Sequence, residues 1–461
     1  MIIDPSITLD DLRAPLAAFW PVSGAKIAAL CESWDPAQGS PVFTVRGRYT
    51  SQGWTEWTQG FQFGWAILQY DATGDERFLE LGRRGTVDHM APHVSHVGVH
   101  DHGFNNVSTY GNLRRLMLEG RIPANTWERS FYELALKTSG AVQAARWRQV
   151  HEGSGYIYSF NGPQSLFADT IRSVRVLLLA HQLGHALMGE NDERISLLGR
   201  AIEHARTTAR WNVFYGEGRD IYDKWGRVAH ESVFNVNDGR FRTSSTQQGY
   251  SAFSTWTRGL AWIMTGYPEV LEFLDTVAEA ELEPFGGRAD ITAMLVRAAR
   301  ASCDFFIANT ATDGVPYWDT GAPGLAQMVG WRDHPSDPFN HHEPVDSSAA
   351  AIGAQGLLRL GRWLTARGDT DGQRHTAAGL TTLRTVLSKP YLATDPHHQG
   401  LLLHSVYHRP RGWDFAPDPD GVPRGEAVMW GDYHLVEAAL LAQRLLDGGP
   451  YHTFFGPINA R

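Results

Sequence analysis

Four segments of the chain begin with Trp, Gly, Asp or Ser and run directly into an apolar stretch with helical spacing. They are WTQGFQFGWAIL from Trp57, STWTRGLAWIM from Ser254, VDSSAAAIGAQGLLRL from Val345 and WGDYHLVEAALLAQRLL from Trp430. Free backbone N–H groups at a helix start, beside polar and aromatic side chains, form a surface for hydroxyls and carboxylates. N-capping alone explains the Asp and Ser of any single segment, but their recurrence with Trp predicts helix starts that ring one pocket.

Helical periodicity extends over most of the rest of the chain. Two stretches place apolar residues on one helical face: Trp127, Phe131, Leu134 and Ala135, and then, after a capping Asn191, Ile195, Leu198, Ile202 and Ala205. An exception is RVAHESVFNVNDGRFRTSS, in which Asp238-Gly239 separates two extended runs and predicts a β-hairpin. The sequence therefore predicts a mainly helical protein with a short hairpin.

Composition and loop placement favour one globular domain over residues 1–461. The chain is 43% hydrophobic and 20% charged, as is typical of globular proteins. Two long loops rich in Pro, Gly and Asp lead straight into the third and fourth helix starts, so we interpret them as pocket walls rather than linkers. The first twelve residues lack a basic region before an apolar run, and no apolar run long enough to span a bilayer is evident, which predicts a cytoplasmic protein without a membrane partner.

Charge and residue usage narrow the classes of ligand. A net charge of -9 without a basic tract argues against nucleic acid as the principal partner. Sixteen Trp with 47 Gly favour a carbohydrate site, because aromatic faces stack on sugar rings and glycine-shaped loops leave room for them. Core packing is the alternative explanation for most of these Trp residues.

A group of histidines around VHDHGFNN raises the question of a metal site. His89, His93, His96 and His100 recur at helical spacing, but Pro92 and Gly98 make one unbroken helix through them doubtful. The only two cysteines, Cys31 and Cys303, are too few for a thiolate zinc cluster. We therefore expect no metal and no other cofactor, and the imidazoles beside Asp101, His100 and His102, remain candidate hydrogen-bond partners.

Seven pieces in a fixed order resemble the unsaturated glucuronyl hydrolases, a glycoside hydrolase family with an (α/α)6-barrel fold. They are WTQGFQFGWAILQYDATGD at Trp57, D-x-G-F at Asp101, Asp169 opening a helix, QGYSAFSTWTRGLAW at Gln248, VPYWDT at Val315, DSSAAAI at Asp346 and WGDYHLVEA at Trp430. The likeness covers residues 57–437. It implies an all-α (α/α)6 barrel of about twelve helices, with long loops and the short hairpin at the active-site face.

The resemblance also implies an activity and a substrate of about disaccharide size. Such enzymes act on the unsaturated uronyl residue that a polysaccharide lyase leaves at a chain end, which carries a 4,5-double bond. An aspartic acid protonates C4, the same residue activates water for attack at C5, and the resulting hemiketal collapses. We expect the protein to carry out this reaction as a monomer or a homodimer.

By position, Asp169 resembles the general acid and base, and Asp101 resembles the second pocket carboxylate. Positions that match substrate-binding positions of the family are Trp57, His230, Gln248, Trp256, Arg258, Trp262 and Ser405. The chemistry needs Asp169 protonated near neutral pH, which burial or the charge of Asp101 would favour. Arg172, one helical turn on, would oppose this if it pointed the same way, so we expect it to point aside or to bind the substrate carboxylate.

Departures from the family pattern leave the substrate open. Arg172, Ser173 and Val174 replace the usual Met-Asn-Leu, Ala252 replaces a frequent Asp, and one of several expected serines remains, at Ser405. An unsaturated rhamnogalacturonyl hydrolase is the nearest alternative. A sugar epimerase or isomerase on the same barrel and a non-catalytic carbohydrate-binding protein are more distant ones.

Overall fold

The computed structural model describes residues 1–53 and 56–456 of the chain. Twelve long helical segments account for a little under half of this part. They are α1 (Arg13–Ser33), α2 (Gln59–Thr73), α3 (Glu76–His89), α4 (His102–Asn106, the π-helical turn Val107–Gly111 and Asn112–Leu118), α5 (Thr126–Ala145), α6 (Thr170–Ser173 and Arg175–Gln182), α7 (Leu197–Trp211), α8 (Thr257–Leu274), α9 (Gly287–Ala308), α10 (Ser347–Thr365), α11 (Asp371–Val386) and α12 (Met429–Leu446). Single-turn helices lie at Ala91–Val94 and Glu279–Leu282.

The even-numbered helices form an inner ring and the odd-numbered helices an outer one. Each inner helix packs against the next, from α2 through α4, α6, α8 and α10 to α12, and α12 packs against α2 to close the ring. Every residue of α8 is buried, whereas α3 buries only one face. Helices that are apolar all round belong inside, and amphipathic ones belong outside. The chain is therefore the (α/α)6 barrel that the sequence predicted.

In the described ranges, nine short strands lie in the connections between the helices. They are β1 (Phe43–Val45), β2 (Arg48–Thr50), β3 (Trp147–Gln149), β4 (Gly155–Ile157), β5 (Ser165–Phe167), β6 (Leu187–Met188), β7 (Arg194–Ile195), β8 (Glu231–Phe234) and β9 (Phe241–Ser245). The predicted hairpin is confirmed as β8 and β9, with Glu231 opposite Ser245 and Gly239 at φ 70° in the turn. Strand β5 adds to β8 as a third, antiparallel strand.

All four predicted helix starts are confirmed, and each opens an inner helix: α2, α8, α10 and α12. Two details of the α7 prediction were wrong, and the first is that Ile195 lies in strand β7, before the helix begins at Leu197. Asn191 does not cap α7. It has a left-handed φ of 54°, and Ser196 is the cap, accepting a hydrogen bond from the Gly199 amide.

The apolar face predicted around Trp127 does exist on α5, but it faces solvent. Trp127 is 84% exposed and Leu134 is 63% exposed, whereas Tyr132 and Leu136 on the opposite side are buried. Periodicity reports that a helix has an apolar face, and only the packing of neighbours decides which face is covered.

The N-terminal helix passes a length and composition test for crossing a membrane, over Leu9–Ser33. Half of its most apolar window is buried inside the protein, where α1 packs against α2 and α12. Core helices of soluble proteins pass the same test.

Candidate active site

A cavity of about 590 Å³ opens at the end of the barrel where the inner helices begin. This size suits a drug-sized or disaccharide-sized ligand. The residues that line it are Trp57, His96, Gly98, Val99, His100, Asp101, Phe104, Phe160, Asn161, Asp169, Gln247, Gln248, Trp256, Arg258, Trp262, Tyr407, His408, Arg411 and Trp413.

The two candidate catalytic carboxyls come together through a close contact between α4 and α6. Asp101 precedes α4 and Asp169 precedes α6, so each lies at an inner helix start. Between these helices, a Cβ on Gly103 would lie 2.0 Å from the Ser173 carbonyl oxygen. The Gly103 amide also donates a hydrogen bond to Ser173 Oγ at 3.0 Å. Only a residue without a side chain permits this approach, so Gly103 sets the distance between the carboxyls.

A histidine lies between these carboxyls. The Nε2 atom of His100 is 3.7 Å from Asp101 Oδ1 and 3.6 Å from Asp169 Oδ2. All three side chains are buried, with His100 at 1% exposure, Asp101 at 6% and Asp169 at 8%. His100 precedes Asp101 in the chain, so sequence proximity suggested a contact, but only the fold brings it to Asp169 as well.

The two carboxyls have shifted pKa values in opposite directions. Burial raises the pKa of Asp101 to about 6, against the charge of His100 and with that of Asp169. Burial also disfavours the Asp169 carboxylate, but the His100 imidazole 3.6 Å away, together with His230, outweighs burial and lowers the pKa of Asp169. We expected the proton on Asp169 and the charge on Asp101. The structure reverses this, because His100 favours the ionised form of Asp169.

His230 is a neutral hydrogen-bond donor behind the cavity wall. Its Nδ1 atom accepts from the backbone amides of Gln247 at 3.0 Å and Gln248 at 3.3 Å, so the ring proton lies on Nε2. Burial lowers the pKa of His230 to about 3, with the Asp169 charge opposing the shift. Its Nε2 atom has no hydrogen-bond partner among the described residues, which leaves that N–H to act on Asp169 or on a ligand.

Arg258 lines the cavity but its donors are largely occupied. One Nη donates to Asp346 Oδ2 at 2.9 Å and to the Val406 carbonyl, and the other donates to Gln248 Oε1 at 2.8 Å and to the Tyr407 carbonyl at 2.7 Å. A bidentate clamp on a substrate carboxylate is therefore a poor fit. The contact orients Gln248 so that its amide nitrogen remains the donor.

Aromatic rings form the floor and walls. Trp57 stacks on Trp430 with ring centroids 5.0 Å apart, and Phe104 lies 4.8 Å from Trp262. The Arg258 guanidinium lies over the ring of Trp256 at 4.5 Å. The cavity thus joins stacking faces to a few polar groups, as carbohydrate sites do.

Arg172 points aside, the first of the two outcomes expected for it. Its guanidinium donates to both oxygens of Glu269, at 3.2 and 3.1 Å, and to Glu437 at 2.7 Å. Arg175 pairs with the same two glutamates at 3.3 and 3.8 Å. These buried charges join the inner helices α6, α8 and α12. Burial opposes the glutamate charges, but the arginines lower the pKa of both acids.

Two of the predicted binding residues, His230 and Ser405, are not among the cavity-lining residues. Ser405 Oγ is 2.8 Å from Ser347 Oγ and donates to the Leu402 carbonyl at 3.3 Å, so the structure gives it a role in joining two segments of the chain. The other predicted residues line the cavity. The sequence analysis did not identify His408 and Trp413, whose rings lie 4.8 Å apart in the wall.

The remaining histidines of the group do not converge. His102 contacts Ser139 Oγ at 2.8 Å and the His96 carbonyl at 2.9 Å, and His93 contacts Gln59 at 3.1 Å. The helix ends at His89, as Pro92 and Gly98 suggested. Within the described residues, one group could ligate an ion, namely His100 with the two carboxyls, whose ligand atoms lie within 4.8 Å of one another. These are the groups that the predicted proton chemistry already requires.

Similar proteins come from one enzyme group. The unsaturated glucuronyl hydrolase of Bacillus sp. (strain GL1) is 27% identical over 411 residues, covering 87% of this chain and 90% of that protein. The unsaturated chondroitin disaccharide hydrolase of Streptococcus pyogenes serotype M1 is 25% identical over 415 residues, covering 88% and 86%. The crystal structure of the Bacillus sp. GL1 unsaturated glucuronyl hydrolase matches with a TM-score of 0.71 at 23% identity, covering 97% of this chain and 99% of that one. No protein-family model matches the chain.

Proposed function

Because the chain is a homologue of the unsaturated glucuronyl hydrolases, we propose that it hydrolyses unsaturated uronyl residues at the ends of lyase-generated oligosaccharides. The observation that carries the proposal is the pair of buried carboxyls, Asp101 and Asp169, whose pKa values are shifted in opposite directions inside a sugar-sized aromatic cavity. Carboxyl pairs separated in this way divide acid and base roles between them.

Asp169 is the proposed general acid and base. Its proton goes to C4 of the vinyl ether, which leaves positive charge at C5 and the ring oxygen. The Asp169 carboxylate then takes a proton from water as the water oxygen bonds to C5. Water thus supplies both the hydrogen at C4 and the hydroxyl at C5, and the hemiketal opens to release the partner sugar. Acid-base assistance of this kind contributes about 10² to 10⁴ in rate.

Binding of the substrate uronate favours the protonated form of Asp169. A substrate carboxylate adds negative charge and displaces water, and both changes raise the pKa of a neighbouring carboxyl. Asp101, whose pKa is about 6, holds a proton next to the site at mildly acidic pH. We therefore expect Asp169 to become protonated in the complex, although its pKa is lowered in the structure as it stands.

The proposed sugar contacts use aromatic faces and hydrogen-bond donors that the described residues leave unoccupied. Trp57, Trp256 and Trp262 offer stacking faces, and the Gln248 amide offers a donor for the uronate oxygens. Arg258 contributes positive charge close by and holds Gln248 in place, so its effect on binding is mostly indirect.

The decisive assay follows the conjugated ultraviolet absorbance of unsaturated disaccharides from several lyases, including rhamnogalacturonan products. Wild-type protein should remove this absorbance for at least one of them and release a saturated partner sugar. Asp169→Asn should lose about 10² to 10⁴ in turnover while keeping the wild-type melting temperature. Absorbance that persists across the panel would contradict the hydrolase function, and normal turnover in Asp169→Asn would contradict the assignment of the acid.

A further inference from the structure

His100 occupies a position that stability does not explain. It is 1% exposed, and neither ring nitrogen has a hydrogen-bond partner among the residues that the structure describes. A buried polar group without a partner is unfavourable by about 1 to 3 kcal/mol. A small apolar residue would avoid this penalty, so the imidazole between Asp101 and Asp169 needs a functional reason.

The ring is held in place from several sides. Its backbone carbonyl accepts hydrogen bonds from Ser173 Oγ at 2.6 Å and from Gln143 Nε2 at 2.8 Å. The ring itself stacks on Phe160 at 6.0 Å and meets the edge of Phe167 at 5.6 Å. These contacts keep Nε2 directed between the two carboxyls at nearly equal distances.

The charges around the ring favour its protonated form. The titratable and charged groups that face it are Asp101, Asp169, Arg146, His204 and His230. Burial lowers the pKa of His100, but the two aspartates outweigh burial and the Arg146 charge, and they raise it overall. Burial lowers the pKa of His204 and of His230 to about 3, so these two rings are neutral. Among these three imidazoles, His100 is the one whose surroundings favour the protonated form.

Resting on the function proposed above, we propose that His100 is a positioning residue that holds a proton between Asp101 and Asp169 and thereby sets the pH above which the carboxyl pair has no proton to give. Over one reaction cycle, water supplies the hydrogen that C4 of the vinyl ether gains. His100 therefore keeps its own proton through the cycle, and it stabilises the Asp169 carboxylate each time that group has protonated C4.

The pH profile of His100→Gln tests this role. Glutamine remains polar but cannot be charged, so both carboxyls lose a stabilising cation and their pKa values rise. We expect the alkaline limb of kcat/KM to move to higher pH by about one unit, while His397→Gln, an exposed histidine elsewhere, leaves it in place. If the His100 ring contributes only packing, kcat/KM or the melting temperature of His100→Gln falls equally at all pH values. The alkaline limb then does not move, and the proposal is overturned.

A second measurement needs no substrate. In protein labelled with ¹³C at histidine Cε1, one resonance should titrate above the ordinary histidine pKa of about 6.5. That resonance should be absent in His100→Gln and should titrate at lower pH in both Asp101→Asn and Asp169→Asn. If no resonance behaves so, the proposal fails whatever the activity. A failure of the hydrolase function appears instead in the ultraviolet assay with wild-type protein.

Discussion

Replacing Gly103 by alanine should inactivate the enzyme by separating α4 from α6. The added Cβ would lie 2.0 Å from the Ser173 carbonyl oxygen and 2.6 Å from its carbonyl carbon, whereas real Cβ atoms essentially never come within 3.0 Å of another heavy atom. The helices must therefore move apart by about 1 Å, and the Gly103 to Ser173 Oγ hydrogen bond lengthens with them. This movement carries Asp101 away from Asp169.

The expected magnitude follows from that displacement. A misplacement of about 1 Å in a catalytic constellation costs about 10²-fold in rate, and overpacking of this kind costs about 1 to 3 kcal/mol of stability. Helix propensity works the other way, since alanine is favoured over glycine by about 1 kcal/mol in a helix. Space, and not backbone preference, should decide the outcome.

Turnover is followed by loss of vinyl-ether absorbance, and stability by thermal unfolding. Gly449→Ala is a matched control, because that glycine is exposed and its Cβ would meet its nearest neighbour at 3.7 Å. The control should match wild type in both measurements. Wild-type turnover in Gly103→Ala would refute the reasoning that this contact sets the carboxyl spacing.

Three further outcomes follow from the buried charges. The pKa of Asp101 in the folded protein, about 6, lies above its unfolded value, so ionisation of Asp101 destabilises the fold as pH rises from about 4 to above 6. Asp101→Asn should therefore raise the melting temperature, and more at pH 8 than at pH 4.5. At high pH the gain in the free energy of unfolding should approach roughly 3 kcal/mol. Arg172→Met should lower stability by about 3 to 5 kcal/mol, because Glu269 and Glu437 lose a buried partner. Arg13→Met, which breaks an exposed pair, should change stability little in the same unfolding measurement. Chelator treatment should leave turnover unchanged, since protonation alone activates a vinyl ether, and activity lost on chelation and restored by a metal would contradict this.

The sequence by itself determined the helices and the helix starts that surround the site, and its resemblance to a known family implied the barrel. Hydrophobic periodicity and capping chemistry are local, so the helix starts at Trp57 and Asp346 could be predicted without the fold. The hairpin around Asp238-Gly239 was equally local, because its turn needs a positive φ that glycine readily adopts. The order of the motifs along the chain was enough to propose Asp169 as the acid.

Tertiary structure alone decided which of these groups meet and in what state. The sequence could not place His100 next to Asp169. It also could not show that the Arg258 guanidinium donates its hydrogen bonds to Asp346, Gln248 and backbone carbonyls. Nor could it show that His100 favours the ionised form of Asp169 while burial favours the protonated form of Asp101. Burial, hydrogen-bond satisfaction and pKa shifts arise from neighbours far apart in the chain, so they are fixed only when α4, α6 and α8 come together.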